Sequence, residues 1–274
     1  MKDSNFSHRG RAIFLGTGTS DGVPLINCNC RVCRSGDKKD KRLRSSLLLC
    51  VNKKNILIDC SMDLRRQLLS VSSKFKTHNA ISIDALLITH THFDHFFGLA
   101  EIRPLTKNGA LPIYANHQSI DSIKKKFDYF FDEKIQKGGG VPSVFLHEIS
   151  NEAFKIADIE ITPLPISHGQ LSILGYKIGN LAYITDASAI SESTIEKVSG
   201  VDILIINGLR DNPHPTHFSI AEAVAVAKKI GAKKSYFTHI AHNHSDKEYN
   251  RLLLKYGDNA MHTAYDGLEF SFFA

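Results

Sequence analysis

The chain has 274 residues, of which 42% are hydrophobic and 23% charged, a balance typical of globular proteins that excludes collagen-like, coiled-coil and disordered chains. The longest apolar runs, such as Leu47–Val51 and Ile203–Ile206, are too short to cross a bilayer. Residues 1–11 are polar and lack the apolar segment of a secretory signal. We therefore expect a single domain over residues 1–274, located in the cytoplasm without a membrane partner. The formal net charge of +6 favours an anionic partner only weakly.

Short apolar runs rich in Ile, Leu, Val or Tyr predict β-strands along the whole chain. They lie at Ala12–Leu15, Ser46–Val51, Asn55–Asp59, Ala85–Thr89, Leu111–Ala115, Ile159–Leu164, Leu181–Thr185, Val201–Ile206, Ser235–Thr238 and Leu268–Phe272. Helical spacing or capping boxes predict helices at Asp63–Ser70, Ile120–Phe131, Ser219–Ile230 and Asp246–Tyr256. This mixture predicts an α/β protein whose sheets are covered by helices and buried on both faces.

The segment His90-Thr91-His92-Phe93-Asp94-His95 follows directly on the predicted strand Ala85–Thr89. His90 and His92 are two residues apart, so an extended backbone points both side chains to one side. Asp94 and His95 then turn the other way, at the start of a predicted helix. Four ligand-type side chains within six positions therefore predict a site for two metal ions of the hydrolytic kind.

Three later side chains also stand at the ends of predicted strands: His168, Asp186 and His239. Each alone is an ordinary loop or turn residue. Together they bring further ligand-capable groups to one edge of the sheets, where α/β folds place their sites. The isolated histidines, by contrast, are expected to be surface or structural residues; they are His8, His78, His117, His147 and His262.

Three of the five cysteines crowd into Cys28-Asn29-Cys30-Arg31-Val32-Cys33. An odd number of cysteines in a reducing cytosol argues against a disulfide framework. Cys28, Cys30 and Cys33 with one imidazole would make a closed tetrahedral zinc site, which is structural rather than catalytic. His242 is the first candidate for the fourth ligand and His244 the second; the alternative is three buried, inert thiols. The remaining Cys50 and Cys60 are expected in the core.

The His-x-His-x-Asp-His motif, together with the three downstream residues, resembles the metallo-β-lactamase superfamily, which has a four-layer αββα sandwich fold. Carried over by position, the resemblance implies two divalent ions, Zn²⁺ or Mn²⁺. One would be held by His90, His92 and His168, the other by Asp94, His95 and His239, with Asp186 bridging both. A ligand set made only of His and Asp is more similar to the phosphodiesterase and thioesterase branches than to the lactamases.

The cysteine cluster narrows the resemblance. Gly16–Ser20, Gly22–Pro24, the three cysteines and Thr238–His242 resemble the phosphoribosyl 1,2-cyclic phosphate phosphodiesterase family. This resemblance implies a small, cyclic ribose-type phosphodiester substrate, attacked by a metal-bridged hydroxide that Asp186 orients, and a possible homodimer. His217 matches a non-ligand histidine near the scissile phosphate and would be a general acid or a phosphate anchor, although His214 competes for the assignment.

Two rival functions remain. A tRNA 3′-processing endonuclease would use the same core ligands, and the basic residues could touch RNA or guide phosphate; they are Arg31, Arg34, Lys38, Lys39, Lys41, Arg42 and Arg44. A solvated loop is the favoured interpretation of this stretch. The segment Gly138–Gly140 is too short for the protruding arm of such nucleases, so nucleic acid is the less favoured partner. A non-catalytic carrier is the other rival, since a family of pyrroloquinoline quinone biosynthesis also has a Cys-rich zinc site.

Overall fold

Fourteen strands and six α-helices are found in the computed structural model, which describes residues 8–74, 81–132, 134, 136 and 140–274. The strands are β1 (Arg9–Gly16), β2 (Ser46–Val51), β3 (Lys54–Ile58), β4 (Ala85–Leu87), β5 (Leu111–Ala115), β6 (Val144–Glu148), β7 (Phe154–Ile156), β8 (Ile159–His168), β9 (Leu171–Ile178), β10 (Leu181–Ile184), β11 (Ile203–Asn207), β12 (Lys234–Thr238), β13 (Met261–Thr263) and β14 (Glu269–Phe273). The helices are α1 (Leu64–Lys74), α2 (Phe93–Phe96), α3 (His117–Lys126), α4 (Glu192–Val198), α5 (Ile220–Ile230) and α6 (Asp246–Tyr256).

The strands form two mixed sheets of seven. The first has the order β14-β1-β2-β3-β4-β5-β6 and the second β13-β12-β11-β10-β9-β8-β7. In the first sheet β3, β4 and β5 run parallel, and in the second β10, β11 and β12 do so. The carboxyl ends of parallel strands meet at one edge of each sheet, and this edge positions the candidate site.

Alternation of buried side chains along the strands explains the layers. Phe14 and Leu47 of the first sheet pack with Tyr176 and Ile205 of the second, between the two sheets. Because successive side chains point to opposite faces, the neighbouring Leu48 lies in a second cluster with the apolar faces of α1, α2 and α3. A third cluster joins the outer face of the second sheet to α4, α5 and α6. The predicted four-layer αββα sandwich is confirmed.

Capping residues fix two helices as the sequence predicts. Ser219 accepts a hydrogen bond from the amide of Glu222 while the Glu222 carboxylate reaches back to Ser219, and α5 ends at Gly231 in the left-handed region (φ 69°). Ser245 and Glu248 form the same capping box at the start of α6. Within the described residues, each helix falls short of the length and apolar character that a bilayer span requires.

Several predicted boundaries shift and some elements are new. The predicted strand Ile159–Leu164 continues to His168, past Pro163 and Pro165, because β8 pairs with β9 along its length. The predicted helix Ile120–Phe131 spans His117–Lys126 instead. The sequence did not predict β6, β7, β9, β13 or α4. Three of these, β6, β7 and β13, are edge strands, where a short and partly polar segment gives little signal.

Candidate metal centres

Three imidazoles converge at the carboxyl ends of β4 and β8. His90 Nε2 lies 3.0 Å from His92 Nδ1, and His168 Nε2 lies 3.3 Å from the same atom. Burial, assisted by the positive charge of nearby His95, holds the pKa of His90 well below its ordinary value. Burial also lowers the pKa of His92. A neutral imidazole is the form that binds a metal, so this group is suited to hold a cation.

A second group joins Asp94 and His95 of α2 to Asp186 and His239. His95 Nε2 lies 3.2 Å from an oxygen of Asp94 and 3.4 Å from an oxygen of Asp186. Yet this buried nitrogen makes no hydrogen bond with any described residue, so an unpartnered imidazole nitrogen and two carboxylate oxygens surround one point. A divalent cation is the group that such a point, surrounded by two carboxylates and an imidazole nitrogen, would accept. The side chains present therefore fit the metal that the resemblance implies.

Asp186 lies between the two groups. It can join either the set around His95 or a further set with His168 and His217. Burial alone would raise its pKa, but His239 and His95 hold the pKa of this carboxyl well below its ordinary value. The anionic form is thus maintained in the interior. The structure brings together all seven residues that the sequence predicts as catalytic-metal ligands: His90, His92, Asp94, His95, His168, Asp186 and His239.

Backbone conformation at the strand ends is unusual. Asp59, Asp186 and His239 follow β3, β10 and β12, and each has a left-handed backbone, with φ of 61°, 59° and 55°. This region is costly for residues other than glycine, and strain of this kind concentrates at functional sites. It turns each side chain at the strand end towards the common edge.

Asp59 is a buried carboxylate in contact with the candidate site that the sequence did not identify. One of its oxygens accepts a hydrogen bond from His95 Nδ1 at 2.7 Å and from Thr89 Oγ1 at 2.8 Å, and the other accepts from the Thr89 amide. This carboxylate fixes the orientation of the His95 ring, so that Nε2 lies beside the oxygens of Asp94 and Asp186 where a cation would bind. The available signal was its place as the last residue of the predicted strand Asn55–Asp59, close to the strand-end position that identified Asp186.

His217 is placed beside Asp186 by the loop between β11 and α5. Its Nε2 lies 3.2 Å from an Asp186 oxygen, and its ring stacks on His239 at a centroid distance of 4.9 Å. His214 lies 3.2 Å from His217 Nδ1, on the side away from Asp186. His217 lines the cavity at this site and His214 does not, so the geometry favours His217 of the two.

The two groups open into a cavity of about 330 Å³. Its lining consists of Ser20, His92, Phe93, Asp94, His168, Asp186, Thr216, His217 and His239. Among these described residues Phe93 is the one large apolar side chain. A cavity this small, with cation ligands at its base, suits a small anionic molecule or one group of a larger one.

The cysteine cluster forms a separate, closed group. The sulfurs of Cys28, Cys30 and Cys33 lie 3.5, 3.4 and 3.5 Å from His242 Nδ1. Sulfur and nitrogen ligands at the corners of a tetrahedron around zinc are separated by about 3.5 Å, so these four residues fit a structural zinc. The Cys33 amide, with His242, lowers the pKa of Cys30 to about 6, whereas burial raises that of Cys33 to about 11. His244 pairs instead with Asp211, so the second candidate does not join the cluster.

The basic stretch is only partly the solvated loop that the sequence favours, since Arg31, Arg34, Lys38 and Lys39 are exposed. Arg42 is buried, and its guanidinium donates to Thr17, to the carbonyl of Ala264 and to Asp246. Other members are also engaged within the protein: Arg31 with Glu248, Arg44 with Asp63, and Lys41 with the carbonyl of Cys33. Arg31, Arg42 and Arg44 therefore hold the N-terminal loop against α6 and the start of α1, which a linear pattern of charges does not reveal.

The other singled-out residues take ordinary places. His117 is exposed beside Glu148, and His8 pairs with Asp158. His147 and His262 are partly buried against Tyr114 and Tyr236, while His78 lies outside the described residues. Cys60 is fully buried as predicted, but Cys50 is only half-buried at the edge of its cluster.

Comparison with known proteins places this fold and site in a class. Residues 54–240 match the family model described as a beta-lactamase superfamily domain. The chain belongs to this superfamily, and the predictions of its fold and of a metal-dependent hydrolase are confirmed. This fold implies divalent metal ions. The structure contains two clusters suited to hold them, the His/Asp cluster at the cavity and the cluster of three cysteines and His242.

One solved structure and two further proteins are similar to this chain over most of its length. The chain is 37% identical, with a TM-score of 0.87, to a crystal structure described as a new diphosphatase from the PhnP family, covering 97% of this chain and 99% of that one. It is 41% identical to an octanoyltransferase of Porphyromonas gingivalis over 94% of this chain, but spans only 51% of that protein's length. It is 25% identical to coenzyme PQQ synthesis protein B of Methylobacterium nodulans, over 72% of each chain.

Proposed function

We propose that this protein hydrolyses small phosphodiesters with the aid of two divalent metal ions, Zn²⁺ or Mn²⁺. The observation that carries the proposal is the meeting of both ligand groups with the His217–Asp186 pair in a single cavity of about 330 Å³. The similarity to a protein described as a diphosphatase supports chemistry at phosphorus. Imidazole and carboxylate ligands accept either metal, so availability decides between them.

The ligands divide by position. His90, His92 and His168 would hold one ion, and Asp94, His95 and His239 the other, with Asp186 shared. Bound ions of this kind place positive charge at phosphate oxygens and make a water molecule more acidic. Asp59 keeps the His95 ring oriented, and the carbonyl of Thr216, which accepts from His168 Nδ1 at 2.6 Å, does the same for His168.

His217 is the group that would protonate the leaving oxygen. Its Nε2 faces the cavity beside Asp186, and its Nδ1 lies 2.9 Å from Thr216 Oγ1, which fixes the ring. The side chain is 13% exposed, so a proton can be replaced from solvent after each cycle. A positioned acid of this kind contributes about 10²–10⁴-fold to the rate.

A small substrate is favoured over RNA. Arg42 is buried in an ion pair with Asp246, and Arg44 is paired with Asp63, so neither guanidinium is free to follow a nucleic-acid backbone. A cyclic ribose-type phosphodiester, as implied by the sequence resemblance, is of a size that the cavity accommodates. A carrier without turnover is disfavoured because His217 and Asp186 lie together beside both ligand groups, an arrangement that binding alone does not need.

The octanoyltransferase name does not carry over directly. This chain corresponds to 51% of that protein, so the transferase activity can belong to the part without a counterpart here. A thioester of octanoate is nevertheless a useful comparison substrate, because related metal-dependent hydrolases include thioesterases.

The first experiment measures metal content and phosphodiesterase activity on the same preparation. We expect about three metal ions per chain, two catalytic and one structural, and release of p-nitrophenolate from bis(p-nitrophenyl) phosphate that chelators abolish and Mn²⁺ or Zn²⁺ restores. Cyclic ribose phosphates and short RNAs are then compared at equal concentration. Full metal loading with hydrolysis of an octanoyl thioester, but of no phosphodiester, would contradict the proposal.

A further inference from the structure

The aromatic ring of Phe93 lines the cavity, and the described residues leave it partly exposed. Phe93 lies between the candidate ligands His92 and Asp94, lines the cavity and is 42% exposed. All other described residues of the lining are polar or ionisable. Exposure of an aromatic ring forfeits the free energy that its burial would give, so a bound molecule that covers the ring is stabilised by it.

A second ring extends this surface outward. The amide of Phe97 donates to the carbonyl of Phe93, which places the two residues one helical turn apart on the same face. Phe97 is 38% exposed, and its other side packs on Phe96 and Phe127 at centroid distances of 5.0 and 5.9 Å. We call Phe93 and Phe97 the aromatic platform. This packing keeps the Phe97 ring in place without help from a ligand.

Positive charge borders the aromatic platform. Lys126 Nζ lies 5.0 Å from the ring centroid of Phe96 and 5.9 Å from that of Phe97. It ends α3 after two further exposed lysines, Lys124 and Lys125. No carboxylate pairs with Lys126 among the residues that the structure describes. An aromatic face beside a cation is a combination that stacks on the base of a nucleotide.

We infer that the aromatic platform is the base-binding subsite of the enzyme, and that its substrates are phosphodiesters or diphosphates of nucleosides. The inference rests on the proposed phosphodiesterase function and names its substrate class. Phe93 is adjacent in sequence to two metal-ligand candidates, so a phosphate held at the ligand groups has the ring of Phe93 as its neighbour. The nucleoside attached to that phosphate then extends over Phe93 towards Phe97 and Lys126.

The test compares two esters that share a p-nitrophenolate leaving group. Thymidine 5′-(p-nitrophenyl phosphate) carries a base, and ethyl p-nitrophenyl phosphate does not. We expect the metal-loaded wild-type enzyme to favour the thymidine ester, and Phe93→Ala to lower the ratio of the two kcat/KM values about tenfold, mainly through a higher KM. Phe93→Tyr keeps the stacking face and should restore the ratio. Phe145→Ala removes a ring that is 58% exposed on β6, outside the cavity lining, and is the matched control.

The outcomes separate this inference from the function on which it rests. If the wild-type enzyme hydrolyses neither ester nor bis(p-nitrophenyl) phosphate, the proposed function fails. If both esters are hydrolysed and Phe93→Ala leaves their ratio unchanged, the phosphodiesterase function stands and the base-binding subsite is refuted. A wild-type dimer that Phe93→Ala converts to a monomer, again with an unchanged ratio, would assign the platform to a second copy of the chain and equally overturn the inference.

Discussion

Two ligand clusters lie on either side of one short loop, and they differ in composition and access. His239 belongs to the open cluster, which consists of the seven candidate catalytic-metal ligands at the cavity. His242, three residues later, belongs to the closed cluster, which it forms with Cys28, Cys30 and Cys33. The first contains imidazoles and carboxylates around an open cavity, with the unpartnered His95 Nε2 in its interior. The second contains three sulfurs and one nitrogen at tetrahedral spacing, which leaves no position for a substrate. Donor type and access thus distinguish a catalytic from a structural metal site.

Removing Asp186 is the strongest test of that distinction. Asp186→Asn keeps the shape but removes the anion that faces both ligand groups, and we expect kcat to fall about 10³-fold or more with an unchanged circular dichroism spectrum. The exposed carboxylate Asp121 provides the control, because Asp121→Asn lies outside the cavity lining. Steady-state kinetics on bis(p-nitrophenyl) phosphate measure both variants. Equal activity of Asp186→Asn and wild type would rule out a catalytic role for the open cluster.

His217 distinguishes acid catalysis from phosphate anchoring within the open cluster. A p-nitrophenolate leaves without a proton, whereas an alkoxide needs one. We therefore expect His217→Ala to lower kcat about 10²–10⁴-fold for a substrate with an alkyl leaving group and much less for bis(p-nitrophenyl) phosphate. His214→Ala removes the neighbouring imidazole and should have a small effect on either substrate. Equal losses of His217→Ala on both substrates, expressed in KM, would instead assign an anchoring role.

Asp59 supports the open cluster from outside it. Asp59→Asn weakens the hydrogen bond that orients His95, so we expect affinity for the metal to fall about 10–100-fold while the fold persists. Competition with a chromophoric chelator measures this affinity. Asp84→Asn, at a carboxylate that pairs with Lys54 away from the site, is the control. A metal affinity equal to that of wild type would show that the His95 ring is held without Asp59.

The sequence predicts the candidate metal ligands better than it predicts the residues that hold those ligands in place. A short motif and three strand ends identify the seven ligand candidates, because parallel strands bring their carboxyl ends to a common edge whatever the details of packing. Asp59 lacks a motif of its own, and its role depends on a contact with His95 across 36 positions of sequence. Arg42 shows the same limit, since its burial against Asp246 follows from the approach of two distant segments. The short edge strands were missed because their pairing, not their composition, defines them.

The closed cluster should give the smallest effect on catalysis. Cys30→Ser removes one of three sulfurs, so we expect the chain to lose about one zinc and to unfold at a lower temperature. Activity per catalytic metal should remain within about a fewfold of wild type, because the loop with His239 is also held by Ser45 and by the bond from the Ile240 amide to Thr17. Cys50→Ser, at a cysteine outside the cluster, is the control for the substitution itself. Thermal unfolding, metal analysis and kinetics of the same samples measure these effects. A loss of activity at unchanged thermal stability would mean that the cysteine cluster acts in catalysis, and the distinction between the two metal sites would fail.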